Sequence, residues 1–250
     1  MEKHKKKRVV GLIGCGAIGS LIAQAVEQRI VKCDKFIMYD HKSEKADALK
    51  KSLQFPAAVV ASVDEMLKLQ PKVIVEAASQ KAAKAYVGRI AAADVDIIVM
   101  STGALLSLDV PSNRVHVPPG AIGGLDAMAS AALTGIDEVV LTSRKNPKAL
   151  GMDNKESKLV YEGSAEEAAK RFPREMNVAA TLALTVKPAR VTVQVLSDPT
   201  VQRNTHEIQV TWRFGEMLLR FANDPHPENP HTSALAAWSA IKLLKTLIET

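Results

Sequence analysis

Three glycines at positions 14, 16 and 19 follow directly on an apolar run, Val9-Val-Gly-Leu-Ile13, and spell G-x-G-x-x-G where a strand would hand over to a helix. The chemistry of that spacing is backbone chemistry. Gly14 permits the tight turn, Gly16 lets the main chain approach a pyrophosphate, and Gly19 lets the helix pack against the strand. The amides of Ala17, Ile18 and Gly19 then open a helix whose positive end favours phosphate. A helical pattern follows through Leu21, Ile22, Ala25 and Val26, and a second apolar run, Lys35–Tyr39, ends in Asp40. A carboxylate roughly 20 residues beyond the glycines is where a dinucleotide fold holds a ribose 2′-hydroxyl. Asp40 therefore favours NAD over a 2′-phosphate, and His41 and Lys42 leave NADP possible.

A nicotinamide cofactor brings the redox step, so the protein must supply placement and protons. His206 is the candidate acid/base. In the run Thr205–Phe214 alternate residues share a face, which places His206 with Ile208, Val210 and Trp212 on the apolar side. An ordinary imidazole exchanges protons near neutrality; a core histidine fits the same spacing. A second glycine cluster, Gly120–Gly124, opens a helix and could face a carboxylate or the nicotinamide, or serve as a flexible turn. Arg144-Lys145 could pair with a substrate carboxylate or be solvated. Asn177 reads as a helix N-cap. The remaining histidines lie in the tail, after Asp40 or in proline-containing connections. No Cys/His/carboxylate cluster has metal-ligand spacing, and no G-x-S-x-G elbow occurs.

These residues need a scaffold. Apolar runs at Ala57–Ala61, Lys72–Glu76 and Asp96–Met100 alternate with helical patterns at Ser43–Leu53, Asp64–Lys68 and through Ala83, Tyr86, Val87 and Ile90. Continuous apolar strands separated by helices predict an α/β, Rossmann-type doubly wound parallel sheet. Ligands of such sheets lie beyond the carboxyl ends of the strands, where Asp40, Ala78, Ser79, Ser101, Thr102 and Gly103 fall. The proline-containing stretch Leu105–Pro119 reads as the boundary to a second, α+β domain with a mostly open sheet. Its expected strands are Glu138–Ser143, Lys158–Glu162, Arg190–Leu196, Thr205–Phe214 and Glu216–Phe221, with helices at Leu125–Leu133, Ala165–Arg171 and Val178–Val186. An amphipathic helix, Thr232–Ile248, with Leu235, Trp238, Ile241, Leu244 and Leu247 at helical spacing, closes the chain. The expected domains are 1–118 plus 230–250 for the dinucleotide, and 119–229 for the substrate.

Composition excludes other classes. The net charge is +6, but five basic residues against Glu2 place +4 of it in the first eight residues, so the body offers no basic face for nucleic acid. Two cysteines, one inside the glycine loop, suit a reducing cytoplasm better than a disulfide framework. No stretch is long and apolar enough for a membrane.

The chain resembles the L-aspartate dehydrogenase family across nearly its whole length. The likeness rests on Gly11–Gly19, Glu76-Ala-Ala-Ser79, Ser101-Thr-Gly-Ala104, Gly120–Ala127, Glu162-Gly-Ser-Ala165, Asn177-Val-Ala-Ala-Thr181, Asn204-Thr-His-Glu-Ile208 and Glu228-Asn-Pro-His-Thr-Ser233. It implies that His206 is catalytic, that Ala121 and Asn177 contact the cofactor, and that a dicarboxylic amino acid is the substrate. It also implies a homodimer built through the second sheet, with the closing helix returning to the nucleotide domain, and a place in NAD biosynthesis. The chain departs from the family at Leu105–Pro119, where a longer segment with a helix is usual. Two alternatives stay open: another two-domain oxidoreductase of the homoserine dehydrogenase or dihydrodipicolinate reductase type, and a non-catalytic NAD(H)-binding regulator.

Overall fold

A computed structural model describes residues 7–109, 112–173, 176–226 and 229–249. The chain divides into two compact units: Met1–Ala104 with Leu108–Pro118 and Ala237–Thr250, and Leu105–Ser107 with Pro119–Ala236.

The first unit alternates strand and helix: β1 Val9–Ile13, α1 Ala17–Glu27, β2 Lys35–Tyr39, α2 Ser43–Lys51, β3 Ala57–Val59, α3 Val63–Lys68, β4 Val73–Glu76, α4 Gln80–Ala92, β5 Asp96–Val99 and β6 Val115–His116. The six strands are parallel in the order β3-β2-β1-β4-β5-β6, the doubly wound arrangement expected from the alternation. Every residue of β1 and β4 is buried, as a sheet covered on both faces requires. The stretch Leu105–Pro119 is more than a connection. Short 3-10 turns occupy Thr102–Ser107 and Ser112–Arg114, and β6 adds an edge strand that sequence periodicity missed because two residues carry no period. His116 and Arg114 anchor that edge on the Asp96 carboxylate, at 2.8 and 3.3 Å.

The second unit holds α5 Leu125–Ala132, β7 Ile136–Lys145, β8 Lys158–Ser164, α6 Ala165–Arg171, α7 Asn177–Thr185, β9 Thr192–Ser197, β10 Asn204–Trp212 and β11 Gly215–Asn223. Its five-stranded sheet runs β11-β10-β7-β9-β8, parallel only between β7 and β9. The hairpin expected around Gly215 is present, with Trp212 paired to Gly215. Strand alternation buries Val139, Leu141, Val193, Val195, Ile208 and Val210 against Met128, Ala168, Ala179 and Leu182 of the three helices. The opposite face of β10 and β11 carries Gln209, Thr211, Leu218, Arg220 and Ala222, all exposed.

A small hairpin of β12 Pro225–His226 and β13 Asn229–Ser233 precedes α8 Ala234–Glu249. The closing helix thus begins later than the expected Thr232, because Asn229–Ser233 is strand. Its buried stripe is Ala237, Ala240, Ile241, Leu244 and Ile248, whereas Leu235 and Trp238, expected on that stripe, are 41% and 44% exposed. The stripe thus combines two small alanines with Ile241, Leu244 and Ile248. Glu228, part of the resemblance, lies outside the described residues.

Candidate active site

In the first unit the candidate residues gather at the carboxyl ends of β1, β2, β4 and β5. Gly14 has φ +98°, and a Cβ there would come within 2.7 Å of the Ala77 carbonyl oxygen and 2.8 Å of Ala78 Cα. A Cβ on Gly19 would strike the Gly14 carbonyl oxygen. Both positions therefore demand glycine for close backbone approach. Gly16 differs: nothing lies within 4 Å of a Cβ built there. It is the N-cap of α1, and no side chain caps that helix start. Open space at a helix N-terminus, beside a backbone that can be approached closely, fits a pyrophosphate.

Asp40 stands at the end of β2, as the spacing requires, and its carboxylate also braces the loop. Oδ2 accepts from the Cys15 amide at 2.8 Å and Oδ1 from the Lys42 amide at 2.9 Å, with the exposed His41 imidazole 3.2 Å away. A carboxylate has about four acceptor sites, so lone pairs remain for a ribose diol. Burial pushes the neighbouring Cys15 thiol up to about 12, with Asp40 adding to the effect, so the cysteine in the loop is an inert thiol.

Glu76 is the residue in this unit whose role spacing did not disclose. It is fully buried at the end of β4. Its carboxylate accepts from the Ala78 and Ser79 amides at 2.9 and 3.0 Å, from the Ser101 amide at 3.1 Å and from the Ser101 hydroxyl at 3.0 Å. One side chain thereby ties the loop after β4 to the loop after β5. Burial raises its pKa, and those four hydrogen bonds oppose the rise. The Ser79 hydroxyl is committed to capping α4, accepting from the Ala82 amide at 3.2 Å. Thr102 is buried, and Gly103 sits where a Cβ would collide with the Gln80 amide group.

In the second unit His206 lies on the inward face of β10 and is 3% exposed. Its Nδ1 is 2.9 Å from Ser143 Oγ on the paired strand β7, its register partner. Burial, and secondarily the charge of Lys145, lowers the imidazole to about 3. His206 is therefore neutral at physiological pH. The bond to Ser143 admits either direction; when Nδ1–H donates to the hydroxyl, Nε2 keeps its lone pair and can act as a base.

The glycine cluster before α5 is moulded on β11. Asn223 Nδ2 donates to the Ala121 carbonyl at 2.9 Å, a Cβ on Gly123 would contact the Phe221 ring at 3.4 Å, and one on Gly124 would collide with Leu219. Phe221 is the register partner of His206 on the other side of β10. Asn177 is the first residue of α7 rather than its N-cap, which is Met176, without a side-chain bond. Ile122, Val178 and Ile208, each within two residues of Ala121, Asn177 or His206, share one core. Ser143 and Asn223 went unnoticed in the sequence because each acts across strands paired only in the fold.

Two family models divide the chain between them. The one described as the NAD binding domain of homoserine dehydrogenase matches residues 14–113, and the one described as the C-terminal part of aspartate dehydrogenase matches residues 126–247. The L-aspartate dehydrogenase of Methanothermobacter thermautotrophicus is 40% identical over 96% of both chains. That of Archaeoglobus fulgidus is 41% identical over 96% of this chain and 98% of its own. The crystal structure of aspartate dehydrogenase from Thermotoga maritima superposes with a TM-score of 0.72 at 29% identity, covering 96% of each chain. A backbone cradle for a dinucleotide, a buried histidine on a second sheet and end-to-end likeness agree: the chain belongs to the L-aspartate dehydrogenase family.

Proposed function

We propose that the protein catalyses the NAD(P)-dependent oxidative deamination of L-aspartate, or its reverse, with His206 as the acid/base. The observation that carries this reading is the buried His206–Ser143 pair on a chain of this family. Residues 1–118 and 230–250 hold the dinucleotide and residues 119–229 the substrate. Gly14, Gly16, Ala17, Ile18 and Gly19 receive the pyrophosphate, Asp40 the ribose, and Ala78, Ser79, Ser101, Thr102 and Gly103 line the same cradle, with Ala121 and Asn177 toward the nicotinamide end. Asp40 favours NAD. The cofactor that these residues would hold would supply the two-electron oxidant for C2 of the amino acid. Nε2 of neutral His206 takes a proton from the substrate amino group, leaving iminoaspartate. The same nitrogen then assists water addition to the imine, and loss of ammonia gives oxaloacetate. General acid/base help of this kind is worth roughly 10² to 10⁴ in rate.

The exposed outer face of β10 and β11 supports a homodimer formed through the second sheet. The protein works in the cytoplasm, and its imine product feeds pyridine nucleotide biosynthesis. The test is NADH formation with L-aspartate against D-aspartate, L-glutamate and L-homoserine. A marked preference for L-aspartate is expected. Turnover of homoserine instead, or tight NADH binding without turnover of any of them, would sink the reading.

A further inference from the structure

Two of the loops assigned to the cofactor have their main-chain hydrogens taken up by the protein itself. The Ala77 amide donates to the Ile13 carbonyl at 2.8 Å, and that of Met100 to the Glu76 carbonyl at 2.9 Å. The Ala78 and Ser79 amides donate to Glu76 Oε1 at 2.9 and 3.0 Å, and the Ser101 amide to Oε2 at 3.1 Å. The Ser101 hydroxyl is turned inward as well, donating to Oε1 at 3.0 Å. An amide has one hydrogen and a carbonyl oxygen two lone pairs, so these donors are exhausted while the carbonyls can still accept. The stretches 77–79 and 100–101 therefore offer a ligand oxygen acceptors and, apart from the Ser79 hydroxyl, no donor.

The start of α1 is the opposite case. Its first-turn amides have no intrahelical acceptor, and no side chain caps them. Phosphate seeks such donors, whereas a carboxylate behind a row of carbonyls repels it. Three of the four groups bonded to the buried Glu76 side chain are amides, which only donate and so suit its ionised form. The two surfaces adjoin, since a Cβ on Gly14 would come within 2.7 Å of the Ala77 carbonyl oxygen. Sheet order then sorts the ligand: β2, with Asp40 for one ribose, lies on one side of β1, and β4 and β5 lie on the other.

We propose that Glu76 is a positioning residue: by drawing the amides of both loops inward, it makes the ends of β4 and β5 an acceptor surface that selects the ribose hydroxyls of the cofactor's nicotinamide half against phosphate. This rests on the cradle assigned above and gives its two sides different chemistry. Glu76 acts without touching the cofactor, through the loops it holds. Glutamine in its place keeps the size but sets an NH2 group against the amides of one loop or the other, donor against donor, and that loop must turn.

The experiment is calorimetric titration of ADP, ADP-ribose and NADH into the intact protein. ADP carries the pyrophosphate and the first ribose but lacks the second. In Glu76→Gln the ADP Kd stays within about twofold of wild type, while those of ADP-ribose and NADH rise roughly 10- to 100-fold, the order of a lost hydrogen bond to a charged group. A residue that only stabilised the fold would weaken all three ligands alike. Ser101→Ala, which removes one donor to Glu76 and keeps the amide, shows the same pattern at smaller size, and the same outcomes are read from it if the glutamine variant does not fold. A folded variant that binds ADP-ribose as tightly as wild type, or that loses ADP to the same extent, overturns the assignment. Wild-type protein that gains no affinity from the second ribose overturns it before any variant is made, and wild-type protein that binds none of the three overturns the cradle itself.

Discussion

The loop at Gly14–Gly19 and the loop at Gly120–Gly124 are both glycine-rich and both precede a helix, but they are shaped by different forces. In the first, a Cβ on Gly14 or Gly19 meets backbone, which cannot yield, and the carboxylates of Asp40 and Glu76 clamp the surrounding turns through main-chain amides. In the second, Gly123 and Gly124 rest on the Phe221 and Leu219 side chains, and Asn223 holds the Ala121 carbonyl from about a hundred residues away. The first loop is shaped by backbone and the second by side chains. In the function proposed above, the former serves the binding that any dinucleotide enzyme needs and the latter the chemistry peculiar to one substrate.

This division can be broken at the side-chain half first. His206→Ala should lower kcat by roughly 10² to 10⁴ while leaving the NADH Kd within about twofold. Near-normal turnover by a folded variant would remove His206 from the mechanism. In the backbone half, Gly16→Ala should weaken NADH binding by roughly 10- to 100-fold with little change in melting temperature, because its Cβ meets only the space assigned to phosphate. Gly14→Ala should instead cost about 1 to 3 kcal/mol of stability, since φ +98° and the Ala77 backbone both oppose a side chain. Equal behaviour of the two would mean that the cradle is not where the pyrophosphate sits.

Buried His206 also makes stability depend on pH. Folded protein keeps the imidazole neutral down to about pH 3, whereas the unfolded chain binds that proton near 6.5. Its contribution is therefore fully present above 6.5 and declines as pH falls toward 3, by about 2 kcal/mol between pH 7 and pH 5. Urea melts of wild type and His206→Gln at both pH values should differ by that amount; parallel losses in the two proteins would place the imidazole in contact with water. The smallest effect is expected at Asn223→Ala, about 1 kcal/mol from the bond to Ala121 and a few-fold rise in the NADH Kd. An unaltered Kd would indicate that the glycines alone set the second loop.

Legibility followed the same line. The β1–α1–β2 segment and Asp40 could be read from local pattern because a turn, a helix start and a strand end need particular residue types at short spacing. His206 could be placed on a buried face by strand alternation, but nothing local separated a core histidine from one paired with Ser143 across β7. The two-residue β6 had no period to detect. The stripe of α8 was misread because Ala237 and Ala240, though buried, weigh little in a hydrophobic period beside Leu235 and Trp238. Glu76, an acid at the end of an apolar strand, gave no sign that it would gather four donors from two loops.

By itself, then, the sequence determined the alternation of strands and helices, the glycine cradle and the candidate histidine, since these arise from backbone sterics and from periods of two and 3.6 residues. Only the tertiary structure decided which of Arg144 and Lys145 lies with His206, which hydroxyl holds its Nδ1, and what supports Ala121. Those choices depend on register between strands far apart in the chain, and register is set by which whole face is buried.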